Sequence, residues 1–316
     1  MNTIRKPRIA VIGSNMVDLV TYVDRMPIRG ETVEAPSFEM GHGGKGANQA
    51  VAAAKLGASV VMVTKVGDDM FADNTIRNLA GFGVDTKYVE KVKGRSSGVA
   101  PIMVEPSGEN SILIVKGANN DLSPDDIERA ADDLKTCDLI LLQLEVPLET
   151  VYAAIAFGKA HGVKTVLNPA PATPELDPDK IRDVSFLVPN ETELAILTGL
   201  PFQTDDAIAV AARTLMAKGI GAVIVTLGAR GALLLTPDET KAIAPISVTP
   251  VDTTGAGDAF VGSFARYFAA GLSLEAALDR AVRYAADSVT RRGTQKAYAS
   301  EAEFDAFCAG LPAATS

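Results

Sequence analysis

An alternation constrains this chain more than any other feature. Six short apolar, β-rich runs, "RIAVIG", "ASVVMVTKVG", "DLILLQLE", "VKTVLNPA", "VSFLVPN" and "GAVIVTLG", are interleaved with Ala-rich stretches. Those stretches are "GANQAVAAAKLGA", "SPDDIERAADDLKTC", "ETVYAAIAFGKAHG" and "TDDAIAVAARTLMAKG". Short apolar runs separated by helices are the signature of βαβ units, so the pattern predicts an α/β fold with a parallel sheet buried on both faces. Helix starts are marked as well. Ser123 before Pro124 is an N-cap with proline at the first helical position, and Thr204 caps another helix ahead of Asp205 and Asp206.

Two segments break the alternation: "LVTYVDRMPIRGETVEAPSFEMG" and "SSGVAPIMVEPSGENSILIVKG". They read as strands without helices, the second with a hairpin turn at "EPSGEN". A small antiparallel sheet projecting from the main body is expected, from about residues 19–41 and 97–117. Such a sheet must cover a substrate or a partner's matching sheet, and it should close over a bound ligand. Only the tail "AGLPAATS" is expected to be disordered. The chain of 316 residues fits one large α/β domain or two smaller ones.

Charge narrows the function. With 39 Asp+Glu against 30 Lys+Arg, and no basic run, nucleic acid is not an expected partner. Cys137 and Cys308 form no CxxC or disulfide framework, and His42 and His161 are too few for a histidine-rich metal site. The N-terminus enters a strand directly rather than a signal peptide, and no run is long enough to span a membrane. A cytoplasmic location is expected.

Four motifs carry chemistry. In "GHGGKGANQA", Gly41, Gly43 and Gly46 match G-x-G-x-x-G, but the match lies some thirty residues after the first strand, where a dinucleotide fingerprint does not belong. A Walker A loop is absent because position 39 is Glu. A glycine turn opening a helix remains, with Lys45 and Asn48 as polar groups. In "LVPNETELAILTG", Asn190 and Glu193 share a helix face. A capping box is the preferred reading from spacing, and holding a hydrated Mg²⁺ is the other. In "VTLGARGALLL", Thr226, Gly228 and Gly231 follow a strand, where a nucleotide or a plain hairpin fits equally.

The fourth is "VDTTGAGDAF". Gly255, Ala256 and Gly257 precede an apolar helical stretch with Phe260, Phe264 and Phe268 at four-residue spacing. Their N–H groups would form an anion site at a helix N-terminus. Asp258 is either a first-turn acid favoured by the helix dipole or a base. Phosphoryl transfer needs donors for the phosphoryl oxygens and a base for the attacking hydroxyl, and this helix start offers both. Asp258 is expected at the surface of a cleft.

At these residues the chain resembles the ribokinase family of sugar kinases. The resemblance runs from "RIAVIGSNMVD" to "VTRRGTQ". It is carried by "GGKGANQAVAAAKLGA", "LLQLE", "LNPAPA", "PNETE", "VTLGARG" and "DTTGAGDAF", in family order. It implies a three-layer α/β/α core with a β-sheet lid, one kinase domain over residues 1–316, and a homodimer through the lid. It also implies ATP, Mg²⁺ and a monovalent cation, K⁺, with phosphorylation of ribose at its terminal 5-hydroxyl.

By the same resemblance, Asp258 is the catalytic base and Gly255, Ala256 and Gly257 form the anion hole. Ser14, Asn15, Met16, Asp18, Gly44, Lys45, Gly46, Ala47, Asn48 and Glu145 surround the sugar. Thr226, Leu227, Gly228, Ala229, Arg230 and Gly231 line the nucleotide site with Asn190 and Gly257. Asn190 and Glu193 order Mg²⁺ through water. Asp252 and Thr254, with Ser288, Arg291, Gly293 and Ala297, surround K⁺. The chain departs from the family at three positions. Met16 stands where several members have Asn, leaving a sugar contact absent or supplied by Asn15. Val282 stands where some have Asn or His, and Ala297 replaces a common serine. Kinases of fructose, 2-keto-3-deoxygluconate or adenosine remain alternatives. So does an inactive sugar-binding regulator, against which the intact GAGD loop argues.

Overall fold

The computed structural model describes residues 6–107 and 109–311. Along the chain lie β1 (Arg8–Ile12), β2 (Met16–Tyr22), β3 (Ser37–Gly43), α1 (Lys45–Lys55), β4 (Ser59–Val66), α2 (Ala72–Gly81) and β5 (Asp85–Lys91). Next come β6 (Val99–Val104), β7 (Asn110–Ile112), α3 (Pro124–Arg129), α4 (Ala131–Leu134), β8 (Leu139–Leu142), α5 (Leu148–His161), β9 (Lys164–Leu167) and β10 (Phe186–Leu187). The last elements are α6 (Glu191–Thr198), α7 (Asp205–Met216), β11 (Ala222–Thr226), β12 (Ala232–Leu235), β13 (Thr240–Ile243), α8 (Ala256–Ala269), α9 (Leu274–Ser288) and α10 (Glu301–Gly310).

β1 shows why the large sheet is buried on both faces. Successive side chains of a strand point to opposite sides. Ile9 and Val11 join a core with α1, α8, α9 and α10, whereas Ala10 and Ile12 join a second core with α3, α5, α6 and α7. Burying each of Ile9, Val11 and Ile12 contributes on the order of 2 kcal/mol. The nine-stranded sheet runs β13-β12-β11-β10-β9-β8-β1-β4-β5. From β11 to β5 every pair is parallel, as the alternation predicts. The edge differs: β11, β12 and β13 are antiparallel, so "VTLGARGALLL" does form a hairpin.

The projecting sheet has the order β3-β2-β6-β7. It is mixed rather than purely antiparallel, because β2 pairs with β6 in parallel while β3 and β7 flank them antiparallel. β2 and β6 both leave the core at the carboxyl side of the large sheet, which gives them one direction. Its limits extend past the expected 19–41, since β2 opens at Met16 and β3 closes at Gly43. Gly108 of the predicted "EPSGEN" turn lies outside the described residues, as do residues 312–316 of the tail. Ala309 and Gly310 of that tail belong to α10 instead of being irregular. The cap at Thr204 accepts from Ala207 N at 3.2 Å, and Ser123 forms a capping box with Asp126. Among the described residues no helix is long and apolar enough to cross a membrane.

Candidate active site

In open α/β sheets ligands bind beyond the carboxyl ends of the strands. Ser14 follows β1, Glu145 follows β8, Asn190 follows β10 and Thr226 ends β11, all at that side. The N-termini of α1 and α8 arrive there too.

α8 begins at Ala256 on an N-cap glycine, Gly255, with φ of 77°. That left-handed conformation suits glycine, and a Cβ there would lie 2.3 Å from Thr294 Cγ2. Tyr298 Oη donates to the Gly255 carbonyl at 2.9 Å and fixes the turn. Ala256 N donates to Thr253 O at 3.3 Å, so of the expected trio its N–H is already engaged within the turn. Asp258 is not on a cleft surface as expected: it is only 6% exposed. Its Oδ2 accepts from Asn48 Nδ2 at 2.9 Å and its Oδ1 from Gln49 Nε2 at 3.0 Å. Burial raises its pKa, while the Lys45 ammonium and the two amides pull it down.

Lys45 responds in the opposite sense. Burial works to lower its pKa, but Asp258, Glu145 and Glu193 together raise it, so it is a cation facing three carboxylates. Its helix starts at Gly44, φ 86°, where a Cβ would sit 2.7 Å from Asn15 Cα. Glu145 Oε2 accepts from Lys45 N at 2.8 Å and from Ser14 Oγ at 2.5 Å, placing a carboxylate at the positive end of α1. Gly46 N donates to Ser14 Oγ at 3.3 Å and Ala47 N to Ser14 O at 2.8 Å. Ser14, Gly46 and Ala47 therefore hold the loop against the helix.

Met16 and Asp18 share one face of β2, being two apart. Asp18 lies over Gly43, where a Cβ would come 2.5 Å from both carboxylate oxygens. Burial, helped by the Glu145 charge, raises the Asp18 pKa to about 6. Met16 is buried, its sulfur 3.8 Å from Asn119 Nδ2. Asn15 points elsewhere: its Nδ2 donates to Thr64 Oγ1 at 2.8 Å and Lys65 O at 2.7 Å. Both hydrogens are spent in the core, so Asn15 is no substitute for an asparagine at position 16.

Asn190 and Glu193 form the capping box that the spacing suggests, with bonds of 2.8 Å in each direction. The box uses Glu193 Oε2 and leaves Oε1 outside it. Burial raises the Glu193 pKa against the pull of Asn190 N and Lys45. A bridge between Asn190 and Thr226 joins this box to the hairpin. In the hairpin, Leu227 leads into a 3₁₀ turn, Gly228–Arg230, and Gly231 N closes back on Gly228 O at 3.2 Å. Ala229 lies within that turn, and Arg230 pairs with Glu191 and Asp205, both at 2.5 Å. Val282 is buried in the core beside α8.

Asp252 accepts from Thr254 N and Gly293 N, each at 2.9 Å. Burial raises its pKa, but these bonds win and it stays low. Arg291 Nε donates to Ala297 O at 2.8 Å, and Ser288 Oγ to Ala285 O at 2.8 Å. The structure thus joins Asp252 to Gly293 and Arg291 to Ala297 in one neighbourhood. Among the described residues no cluster of three or more His, Cys, Asp or Glu side chains has metal-binding geometry.

Sequence reasoning named Asn48 but missed Gln49, the other amide on Asp258, and the two amides that bond Gln49. Gln49, Gln143 and Asn168 lie in "GANQA", "LLQLE" and "LNPAPA", and Gln49 and Gln143 are wholly buried. A glutamine inside an Ala-rich helix, and one closing an apolar strand, were the available signals.

Residues 6–301 match the model of the pfkB family carbohydrate kinases. The chain is 60% identical over 299 residues to a deoxyribokinase of Salmonella typhi, covering 95% of this chain and 98% of that one. It is 43% identical over 287 residues to a ribokinase of Bacillus subtilis, covering 91% and 94%. In structure it is similar to an Arabidopsis thaliana ribokinase complexed with ribose and ATP, with a TM-score of 0.89, 32% identity and coverage of 96% and 99%. With its three-layer core, its second small sheet and its GAGD helix start, the chain belongs to the pfkB family of carbohydrate kinases, among the ribokinase-like sugar kinases.

Proposed function

We propose that this protein transfers the γ-phosphoryl group of ATP to the 5-hydroxyl of a pentose, with 2-deoxyribose preferred over ribose. The observation that carries the sugar choice is Met16, a buried thioether on the same strand face as Asp18. A thioether accepts weakly and donates nothing. A sugar hydroxyl desolvated against it goes unpaired at a cost of about 1–3 kcal/mol, whereas a methylene packs without loss. The 60% identical relative named deoxyribokinase supports this reading over the ribose expectation. Competition assays with ATP should give a higher kcat/KM for 2-deoxyribose. Met16→Asn should move the ratio toward ribose by about 5–150-fold, the equivalent of that cost. A wild-type preference for ribose, or a ratio unmoved by the substitution, would overturn the sugar assignment.

The chemistry follows from the site. Asp258 takes the 5-hydroxyl proton as that oxygen bonds to the γ-phosphorus; the bond to the β–γ bridging oxygen breaks and ADP leaves. Gly255 and Gly257 N–H groups face the charge on the transferring group, helped by the helix dipole and Lys45. Glu193 Oε1 and the Asn190 amide fit a hydrated Mg²⁺, whose charge would neutralise the phosphates. The nucleotide would lie along Thr226–Gly231.

Asp252 keeps unused lone pairs beside its two N–H partners and could hold K⁺ together with backbone carbonyls at Thr254, Ser288, Arg291 and Gly293. The ion would fix the loop that aims Gly255 and Gly257. Turnover in tetramethylammonium buffer should rise when K⁺ is added at constant ionic strength, and less with Na⁺. Equal rates in all three buffers would remove the ion from the reading. The lid leaves Phe38, Met40, Ile112 and Leu113 exposed, a surface suited to a second copy of this chain. Light scattering at micromolar concentration should give a dimer, and a monomer would count against it.

A further inference from the structure

Both oxygens of Asp258 end chains of buried carboxamides. On one side Gln49 Nε2 donates to Asp258 Oδ1 at 3.0 Å and to Asn168 Oδ1 at 3.2 Å, while Gln49 Oε1 accepts from Gln143 Nε2 at 2.6 Å. Asn168 Nδ2 then donates to Val188 O at 2.9 Å. On the other, Asn48 Nδ2 donates to Asp258 Oδ2 at 2.9 Å, and Asn48 Oδ1 accepts from Gln295 Nε2 at 3.0 Å. Gln295 Oε1 in turn accepts from Asn78 Nδ2 at 2.8 Å.

The polarity of these chains is not arbitrary. An ionised carboxylate only accepts, so Gln49 must turn its NH₂ toward Asp258. Its carbonyl then needs a donor, and Gln143 must supply it. That orientation leaves Gln143 Oε1 buried without a partner among the described residues. The oxygen packs against Gly13, where a Cβ would come within 2.0 Å, so no alanine fits there. A buried orphan carbonyl is costly, yet flipping Gln143 to relieve it would set two acceptors face to face.

We propose that Gln143 and Gln49 are positioning residues, an amide relay that keeps Asp258 ionised and aimed at the sugar hydroxyl. The proposal rests on the reading of Asp258 as the base. The charged and titratable groups facing Asp258 are Lys45 from α1, Glu145 after β8, Glu193 from α6 and the Tyr298 hydroxyl. None of them touches Gln143 by hydrogen bond, so a change at Gln143 reaches Asp258 through Gln49 alone.

Gln143→Leu is the test, because it leaves every direct contact of Asp258 in place. It exchanges one orphan, Gln143 Oε1, for another, Gln49 Oε1, so the thermal midpoint should stay close to wild type. Without that donor the Gln49 amide is no longer braced from behind, and its bond to Asp258 Oδ1 loosens. Turnover should fall about 10-fold, with KM for the sugar changed by less than about 3-fold. The acidic limb of the kcat–pH profile should move to higher pH, and further in Gln49→Glu, which replaces a donor with an acceptor. The pKa of Asp258, read by ¹³C NMR in the unliganded protein, should rise in the same order. That readout holds even if Asp258 proves not to be the base, so failure of the functional reading is separable from failure of the relay. Should Gln49→Glu fail to fold, Gln143→Leu decides alone. An Asp258 pKa in Gln143→Leu equal to wild type, or kcat and KM shifting together with a lowered thermal midpoint, would overturn the proposal.

Discussion

Asp258→Asn is expected to lower kcat by about 10²–10⁴, the usual span for loss of a general base, while the protein remains folded. Asparagine is a better probe than alanine here because Asp258 is buried against two amides. Alanine would leave the Asn48 and Gln49 hydrogens without an acceptor, at about 1–3 kcal/mol for each group, and would mix a stability loss into the kinetics. Asparagine keeps one accepting oxygen, so only one amide must rotate. The effect should fall on kcat more than on KM, since the proton moves only as the transition state forms. In the wild type, burial raises the Asp258 pKa, so kcat should decline on the acid side as the carboxylate is protonated. Steady-state kinetics paired with thermal melts would check this. Turnover within about 10-fold of wild type in a folded Asp258→Asn protein would remove the base assignment.

Much of the fold was legible because it depends on local pattern. After its opening Arg8, "RIAVIG" is apolar through Ile9, Ala10, Val11 and Ile12, which suits a strand buried on both faces, and β1 is one. The GAGD helix start and the Asn190–Glu193 box follow from residue types at fixed spacing. What was not legible depends on partners distant in sequence. Alternation reveals that β2 and β6 are strands but not that they run parallel to each other. Position along the chain decides direction: Met16 and Asp18 share a face, while Asn15 turns to Thr64 and Lys65, so of the two readings the sequence left open, the one with Asn15 as the donor falls away. The amides that bond Asp258 likewise come from α1, about two hundred residues away in the chain. A spacing argument sees the carboxylate and its glycines, but not the amides that enclose it.

Asp18→Asn should stabilise the unliganded protein at neutral pH and cripple its sugar binding. Burial of the Asp18 carboxylate, with repulsion by Glu145, raises its pKa to about 6. In an unfolded chain the same group titrates near pH 4. The folded state therefore binds this proton more tightly, and the contribution of Asp18 to stability falls as pH rises from about 4 to about 6. Above that window the ionised group carries its full penalty, on the order of 3 kcal/mol. Asparagine, never charged, removes the penalty at pH 7, and its advantage should be largely gone near pH 4, where Asp18 is protonated in the folded state and about half protonated in the unfolded one. The same charge is what a sugar hydroxyl would use, because a hydrogen bond to a charged group is worth about 1.5–3 kcal/mol. KM for the pentose should rise about 10–150-fold in Asp18→Asn, with a smaller change in kcat. Wild-type kcat/KM should likewise drop below about pH 6 as Asp18 is protonated. Urea melts at pH 7 and pH 4, run beside sugar KM values, test both halves. A variant no more stable than wild type at pH 7 would mean that the site carries no strain at Asp18. An unchanged KM would place the sugar elsewhere than against β2.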